Sequence, residues 1–442
     1  MFHFGSLLRT LMSFGCLSLA GCADWQGNEV IDVDDHESAV PVEVSVDLDD
    51  TVYRSSIAPD SVLAPLAQDL DQEAVQRSVS LQSLEAALAE RRAIEFERYP
   101  RIVPTASAPI GGGQPSVGLS VEQTLWDGGR VRTQIDNTDL SIDEARVLTW
   151  QERNDAVYDG LAAYMGILRF SERIAVQEGL LIDLNELEEV LRVRVEGGVA
   201  DRGEQLRMTM SLQEARREIV SDQSELRAAR SELLRLVPDS EWPTGSVSLS
   251  SAGSFCSRDW PSGDAPDVVL ARLRLMRADN NYELVRARRF PSLVLGAGTS
   301  LSSDGLGEPT ATLRLDASDL LGLGRRGSIE SADASRIGVR RALELELDDT
   351  HAEFLRLEQE YIDLSSSIAQ LVEIQKTNVE NLNLYREQVI AGTIPVAEGI
   401  SLFEENANTE LDLVNTRAEV VGNCLESARI RGTLVLAGDL NE

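Results

Sequence analysis

Two stretches nearly two hundred residues apart read alike: Arg98-Tyr99-Pro100 followed by Ile102, Val103, Pro104, Thr105 and Ala106, and Arg289-Phe290-Pro291 followed by Leu293, Val294, Leu295, Gly296 and Ala297. Each follows an Arg- and Glu-rich helical run. Downstream of each lies a long proline-free segment that breaks at glycine, Gly197-Gly198 in the first half and Gly392 in the second. The spacings agree, since 291 minus 100 is 191 residues and 392 minus 198 is 194. The chain is therefore a tandem duplication of one large unit, and any fold proposed for it must use that unit twice.

Most of each unit is helix. No proline occurs between Pro115 and Pro238 or between Pro309 and Pro395, so each half can hold very long helices. In the second half Phe354, Leu357, Tyr361, Leu364, Ile368 and Leu371 step by three and four residues, the spacing of a coiled-coil seam. Val157, Leu161, Tyr164 and Leu168, then Leu184, Leu187 and Leu191, keep the same beat in the first half. A helix from Gly129 to Glu196 spans about 100 Å at about 1.5 Å per residue. Each rod then turns back. Arg194, Gly197, Gly198 and Val199 form the first predicted tip, before a returning helix over Asp201 to Leu236. Ala391, Gly392, Thr393 and Pro395 form the second, with Pro395 suited to the first turn of the returning helix.

Ahead of each rod sit alternating segments. Val117, Leu119, Val121 and Leu125 alternate with Ser116, Gly118, Ser120, Glu122 and Thr124, and Ala311, Leu313, Leu315 and Ala317 with Thr312, Arg314, Asp316 and Ser318. Their partners are 102–109 and 293–301. Strands of about 9 to 11 residues with one apolar and one polar face suit a transmembrane barrel, which would turn Glu122, Arg314 and Asp316 toward a lumen. A half-buried soluble hairpin is the other reading. Four strands cannot close a barrel alone, so a membrane-spanning sheet requires several copies of the chain.

The N-terminus reads as an address. Arg9 and an apolar stretch from Leu11 to Leu19 lead into Leu19-Ala20-Gly21-Cys22, a small-residue cleavage site with a cysteine directly after it. This pattern resembles the bacterial lipobox, which implies a lipid on Cys22. Residues 24 to 73 carry fourteen Asp or Glu against the single Arg54, the composition of a solvated linker or an arm along the protein surface. With Cys16 leaving in the signal and Cys22 acylated, Cys256 and Cys424 remain as a disulfide or as two buried thiols. A formal charge of −33 excludes nucleic acid as a partner. The three histidines, His3, His36 and His351, have no spaced partners for a triad or a metal, so the expectation is no catalytic residues, no metal and no cofactor beyond the lipid.

The whole pattern resembles the TolC family of outer-membrane efflux and secretion channels. The resemblance is carried by Tyr99-Pro100 and Phe290-Pro291, by Leu125-Trp126-Asp127-Gly128-Gly129-Arg130, and by the two tips, in that order and repeated over about residues 80 to 436. It implies a mostly α fold with a small β part: a homotrimer in which each protomer gives four strands to a twelve-stranded membrane barrel and two hairpins to a periplasmic helical tunnel. It also implies a periplasmic adaptor docked at the tips, an inner-membrane pump of RND or ABC type, and outer-membrane lipid around the strands. In such channels acidic residues at the second tip narrow the entrance. Glu398 matches one such position here, while Ser401 stands at the next. The resemblance places Cys256 and Cys424 together near the tunnel's equator, which favours their disulfide. The segments implied are a signal at 1–21, an acidic linker or arm at 22–78, a first repeat at 79–240, an inter-repeat segment at 241–263, a second repeat at 264–436 and a tail at 437–442. Two other classes share some of these features. A periplasmic adaptor lipoprotein needs only one hairpin with β-rich flanks, and a structural coiled-coil lipoprotein needs no channel.

Overall fold

In the computed structural model the described residues are 55–107, 115–238, 248–253, 265–302, 305–316, 324–391 and 393–435. The chain divides into two units, Met1–Glu43 and Val44–Glu442, and the architecture below belongs to the second. The order of elements repeats. After α1 (Ala64–Arg77) come α2 (Ser80–Phe96), β1 (Arg101–Ser107), β2 (Ser116–Trp126), α3 (Arg130–Glu196) and α4 (Arg202–Leu236). A short α5 (Leu249–Ala252) precedes α6 (Pro266–Ala287), β3 (Ser292–Ser302), β4 (Gly305–Leu306), β5 (Thr310–Asp316), α7 (Arg325–Ala391) and α8 (Val396–Ile430). The duplication shows in the lengths: α3 and α7 have 67 residues each, and α4 and α8 have 35 each.

The long helices follow the predicted seams. Val157, Leu161, Tyr164, Leu168, Leu184, Leu187 and Leu191 are all buried on α3. Leu357 is buried on α7, and Phe354, Tyr361, Leu364, Ile368 and Leu371 are half-buried beside it. Packing is pairwise and in a fixed order. Toward the tips α4 lies on α3, α3 on α8 and α8 on α7; toward the strands α2 lies on α3, α3 on α6 and α6 on α7. α7 is thus covered along its length by α6 and α8 in succession, and α3, inside both rows, by α2 and α4 on one side and α6 and α8 on the other. The outer members, α4 and α7, keep apolar residues exposed: Leu206, Met210 and Val220 on α4, and Leu345, Leu355, Ile362 and Leu384 on α7.

The strands form one antiparallel sheet in which β1 pairs β2, β2 pairs β3, and β3 pairs both β4 and β5. Its register aligns the two halves. Val121 stands opposite Ile102 and Ala297, Leu119 opposite Pro104 and Thr299, and Leu313 opposite Leu295. One face is therefore apolar and the other is Gly, Ser and Thr with a few charges. The apolar face is uncovered, with Val117 63%, Leu119 53%, Leu313 63% and Leu315 62% exposed; on β2 its residues are more exposed than the polar ones between them, whereas β5 is exposed on both faces. β1 and β5 are free edges. The sequence put the first strand at 102–109; it is described over Arg101–Ser107, and the remainder lies outside the described residues.

The acidic segment departs from a solvated linker over its described part. Leu63, Leu66, Ala67 and Leu70 are buried in the main core with Val157, Leu161, Leu425 and Ala428, and Ser56 N–H donates to Thr433 O at 2.7 Å. The count of carboxylates masks a short apolar stripe at helical spacing, which is enough to dock α1. Pro395 also differs from its predicted place, serving as the residue before α8 rather than in its first turn. No described helix is long and apolar enough to cross a membrane.

Candidate functional site: the hairpin tips and the polar face of the sheet

The first tip is closed by backbone geometry. Gly198 takes φ +70°, which only glycine adopts without strain, and lets Val199 N–H reach Arg194 O at 2.9 Å while Gly198 N–H reaches Val195 O at 3.0 Å. Gly197 is the last helical link before it, with its N–H on Val193 O. The Asp201 carboxylate then accepts from Glu204 N–H at 2.8 Å and starts α4. At the second tip Thr393 donates twice to Gln388 O, from its backbone N–H and from its hydroxyl, just after Ala391 ends α7. Gly392 lies outside the described residues. The tips touch each other: Arg194 Nη1 donates to Ile394 O at 3.3 Å, and Val396 and Ile400 are buried with Leu184, Leu187, Leu191, Met208 and Leu212. Arg194, Val199, Thr393 and Pro395, predicted from two separate halves, are thus brought to one end.

Glu398 is exposed in the first turn of α8, where the helix dipole favours a carboxylate, and accepts a hydrogen bond from the Tyr385 hydroxyl at 3.4 Å. Beside it lies a group the sequence reading missed. Arg386 on α7 pairs with Glu186 on α3 and stands 3.7 Å from Asp183. Burial raises the Asp183 pKa above the ordinary carboxylate value; the Arg386 charge opposes this and Glu186 and Glu410 add to it. Under this tie a cavity of about 80 Å³ is lined by Leu187, Val190, Leu382, Leu402 and Phe403. Arginine on the last turns before the second tip was the one available signal. Its partners are two hundred residues away and leave no periodic trace.

At the other end Glu122 lies between two guanidiniums, Arg101 Nη2 at 3.7 Å and Arg314 Nη2 at 3.8 Å. Asp316, Arg130 and Arg288 line the same recess of about 430 Å³ between sheet and helices. The predicted Glu122, Arg314 and Asp316 are therefore neighbours on the polar face, and they belong to its helix-proximal end. The strand-to-helix turn below is made by Gly128 and Gly129 at φ +72° and +89°, with the Asp127 carboxylate accepting from Gly129 and Val131 N–H. Trp126 and Phe290 meet edge to face there, 6.1 Å between centroids. The corresponding stretch of the second repeat, 317–323, lies outside the described residues. Cys424 is fully buried and disulfide-bonded, while Cys256 and Cys22 lie outside the described residues. Among the described residues no group of His, Cys, Asp and Glu could hold a metal.

No protein family profile and no curated protein matches this chain. Solved structures do. The chain is similar to CusC, solved in a study of folding and transmembrane channel formation, with a TM-score of 0.72 and 17% identity over 82% of this chain and 91% of that one. The outer-membrane channel OprN gives 0.71 and 18% over 87% and 95%. The open state of the MtrE outer membrane channel of Neisseria gonorrhoeae gives 0.71 and 17% over 84% and 90%. The chain has the fold of these outer-membrane channels, the fold that the resemblance to the TolC family implied.

Proposed function

We propose that the chain is one third of an outer-membrane exit duct, a passive channel that receives cargo at the hairpin tips and releases it through a barrel. The observation that carries this is the sheet: its apolar face is uncovered, its polar face lines a recess continuous with the helices, and its two edges are free. Free edges and an apolar outer face are costly in water, and closure with copies of the same sheet in a bilayer removes both costs. β4 and β5 pair the same side of β3 in succession and count as one interrupted strand, so three copies give twelve strands, and the exposed apolar edges on α4 and α7 would pair in the same closure. In this reading Cys22 carries the lipid, a disulfide joins Cys256 to Cys424, and an adaptor and an inner-membrane pump of RND or ABC type meet the tips near Arg194, Gly198, Val199, Gly392 and Thr393. Glu398 supplies an acidic ring at the entrance, where like charges repel each other and attract cations. Glu122, Arg314 and Asp316 face the lumen.

The test is positional. Leu119→Arg and Leu313→Arg, on the uncovered apolar face, are expected to lower the amount of protein assembled in outer membranes by about ten-fold or more, given about 2–4 kcal/mol for an arginine at mid-bilayer. Ser120→Arg, one residue along on the polar face, is expected to assemble like wild type. Equal tolerance of all three would contradict a lipid-facing sheet.

A further inference from the structure

The corners that open each strand pair, Arg98-Tyr99-Pro100 and Arg289-Phe290-Pro291, carry an arginine that a passive duct does not require. Proline suits a helix-to-strand corner because it drives the residue before it to an extended backbone, but that leaves the arginine unexplained. The two arginines occupy equivalent places. The residue before each, Glu97 and Arg288, lines the polar recess, and neither Arg98 nor Arg289 does. Arg289 instead lies over the ring of Phe290, 4.9 Å from its centroid, and Phe290 meets Trp126 edge to face. Trp126 stands opposite Leu293 at the helix-proximal end of the apolar face. At the first corner Phe96 is exposed beside Tyr99, with 6.2 Å between ring centroids.

Among the described residues neither guanidinium pairs with a carboxylate, although the chain has a formal charge of −33 and Arg192, Arg217, Arg235 and Arg356 each hold a glutamate three residues away. No acid lies within four residues of Arg289, and Glu95, three before Arg98, is taken by Arg91. The height of the corners fits a membrane surface. From Val117 to Trp126 β2 runs about 30 Å, and a tilt of about 40° reduces that to the height of an outer-membrane apolar band, about 25 Å. Aromatic rings at the edge of such a band sit at headgroup level. A guanidinium there meets phosphate oxygens, which its planar fork can bind with two parallel hydrogen bonds.

We propose that Arg98 and Arg289 are clamps for the phosphate of glycerophospholipids in the periplasm-facing leaflet, with a preference for anionic headgroups such as phosphatidylglycerol. A zwitterionic lipid brings its own ammonium beside the phosphate and offsets the attraction, whereas an anionic lipid does not. The inference rests on the lipid-facing sheet of the proposed duct. Three copies would set six such clamps around the lower rim of the barrel.

The test titrates the purified full-length protein in detergent with phosphatidylglycerol or phosphatidylcholine and counts bound lipids by native mass spectrometry. Arg98→Gln with Arg289→Gln is expected to weaken phosphatidylglycerol binding by about ten-fold and to remove its advantage over phosphatidylcholine. Both side chains are exposed, and Gln123 bonds only the backbone oxygen of Arg98, so the fold should be kept. Arg340→Gln with Arg341→Gln, at two exposed positions about 20 Å along α7, removes the same charge and is expected to bind lipid as wild type does. Excess inorganic phosphate is expected not to displace the lipid, because the apolar face holds its chains. Equal loss in both double variants, an unchanged preference in the first, or displacement by phosphate would overturn the clamps. Trp126 separates this outcome from the fate of the duct. In bilayers of tail-brominated phosphatidylcholine, the emission that Trp126→Phe removes is expected to be quenched. Quenching with an unchanged lipid preference would sink the clamps and leave the sheet in the bilayer; no quenching would sink both.

Discussion

The carboxylate of Glu152, on α3, accepts from the Ser78 hydroxyl at 2.7 Å and from the backbone N–H groups of Val79 and Ser80 at 3.0 and 2.9 Å, so a side chain of one helix caps the start of another. Burial pushes its pKa up, but the three donors outweigh burial and hold it at about 2. Because the folded pKa lies below the ordinary value of 4.5, this contribution is complete above pH 4.5 and fades as the pH falls toward 2. Glu152→Gln is expected to remove about 1 kcal/mol of local stability, a value kept small because the group is partly exposed. Hydrogen exchange at the first turn of α2, expressed as a protection factor against the intrinsic rate at each pH, reads it: lower in the variant at pH 7, and no longer falling between pH 4.5 and 2 as that of wild type does. Nothing at residue scale in the sequence disclosed this cap, since Glu152 and Ser78 are 74 residues apart. The tie of Arg386 to Glu186 was hidden for the same reason. Glu398, by contrast, was reached through the family resemblance, by counting from Gly392, and the place of Glu122 on the polar face by the alternation of its strand.

The elements were the most legible level. Seams read at steps of three and four became the buried sides of α3 and α7, and paired glycines became the tip and the strand-to-helix turn, because helix periodicity and positive φ are local demands. What the pattern left open was which helix each seam meets. α3 serves α4, α8, α2 and α6 in turn, so its buried side wraps more of the helix than a two-stranded coil requires. The apolar stripe of Leu206, Met210 and Val220 on α4 faces none of these partners. Leu206→Glu with Met210→Glu is expected to leave the helix content unchanged, as both residues are exposed in the protomer, and to shift the detergent-solubilised mass from trimer to monomer. A trimer retained in that variant would place the contact between copies elsewhere. The α1 stripe was lost among acids in the sequence because four apolar residues in one short helix fall below any compositional signal.

For the whole molecule, the duplication already required two equivalent hairpins and two equivalent strand pairs, and one sheet with two free edges is how they are joined. The step from that sheet to a closed pore depends on copies of the chain, which a single sequence describes only through what it leaves uncovered: the outer sheet face, the α4 and α7 edges, and the tips. Closure of three copies would set six hairpin tips around one axis, with Glu398 near the entrance and the recess of Arg101, Glu122 and Arg314 at the far end. Single-channel recording of the purified protein in a planar bilayer, paired with its mass in detergent, tests this closure directly. The expected result is a trimer that gives discrete, cation-favouring currents, with that preference reduced by Glu398→Gln; a monomer that gives no current would contradict it.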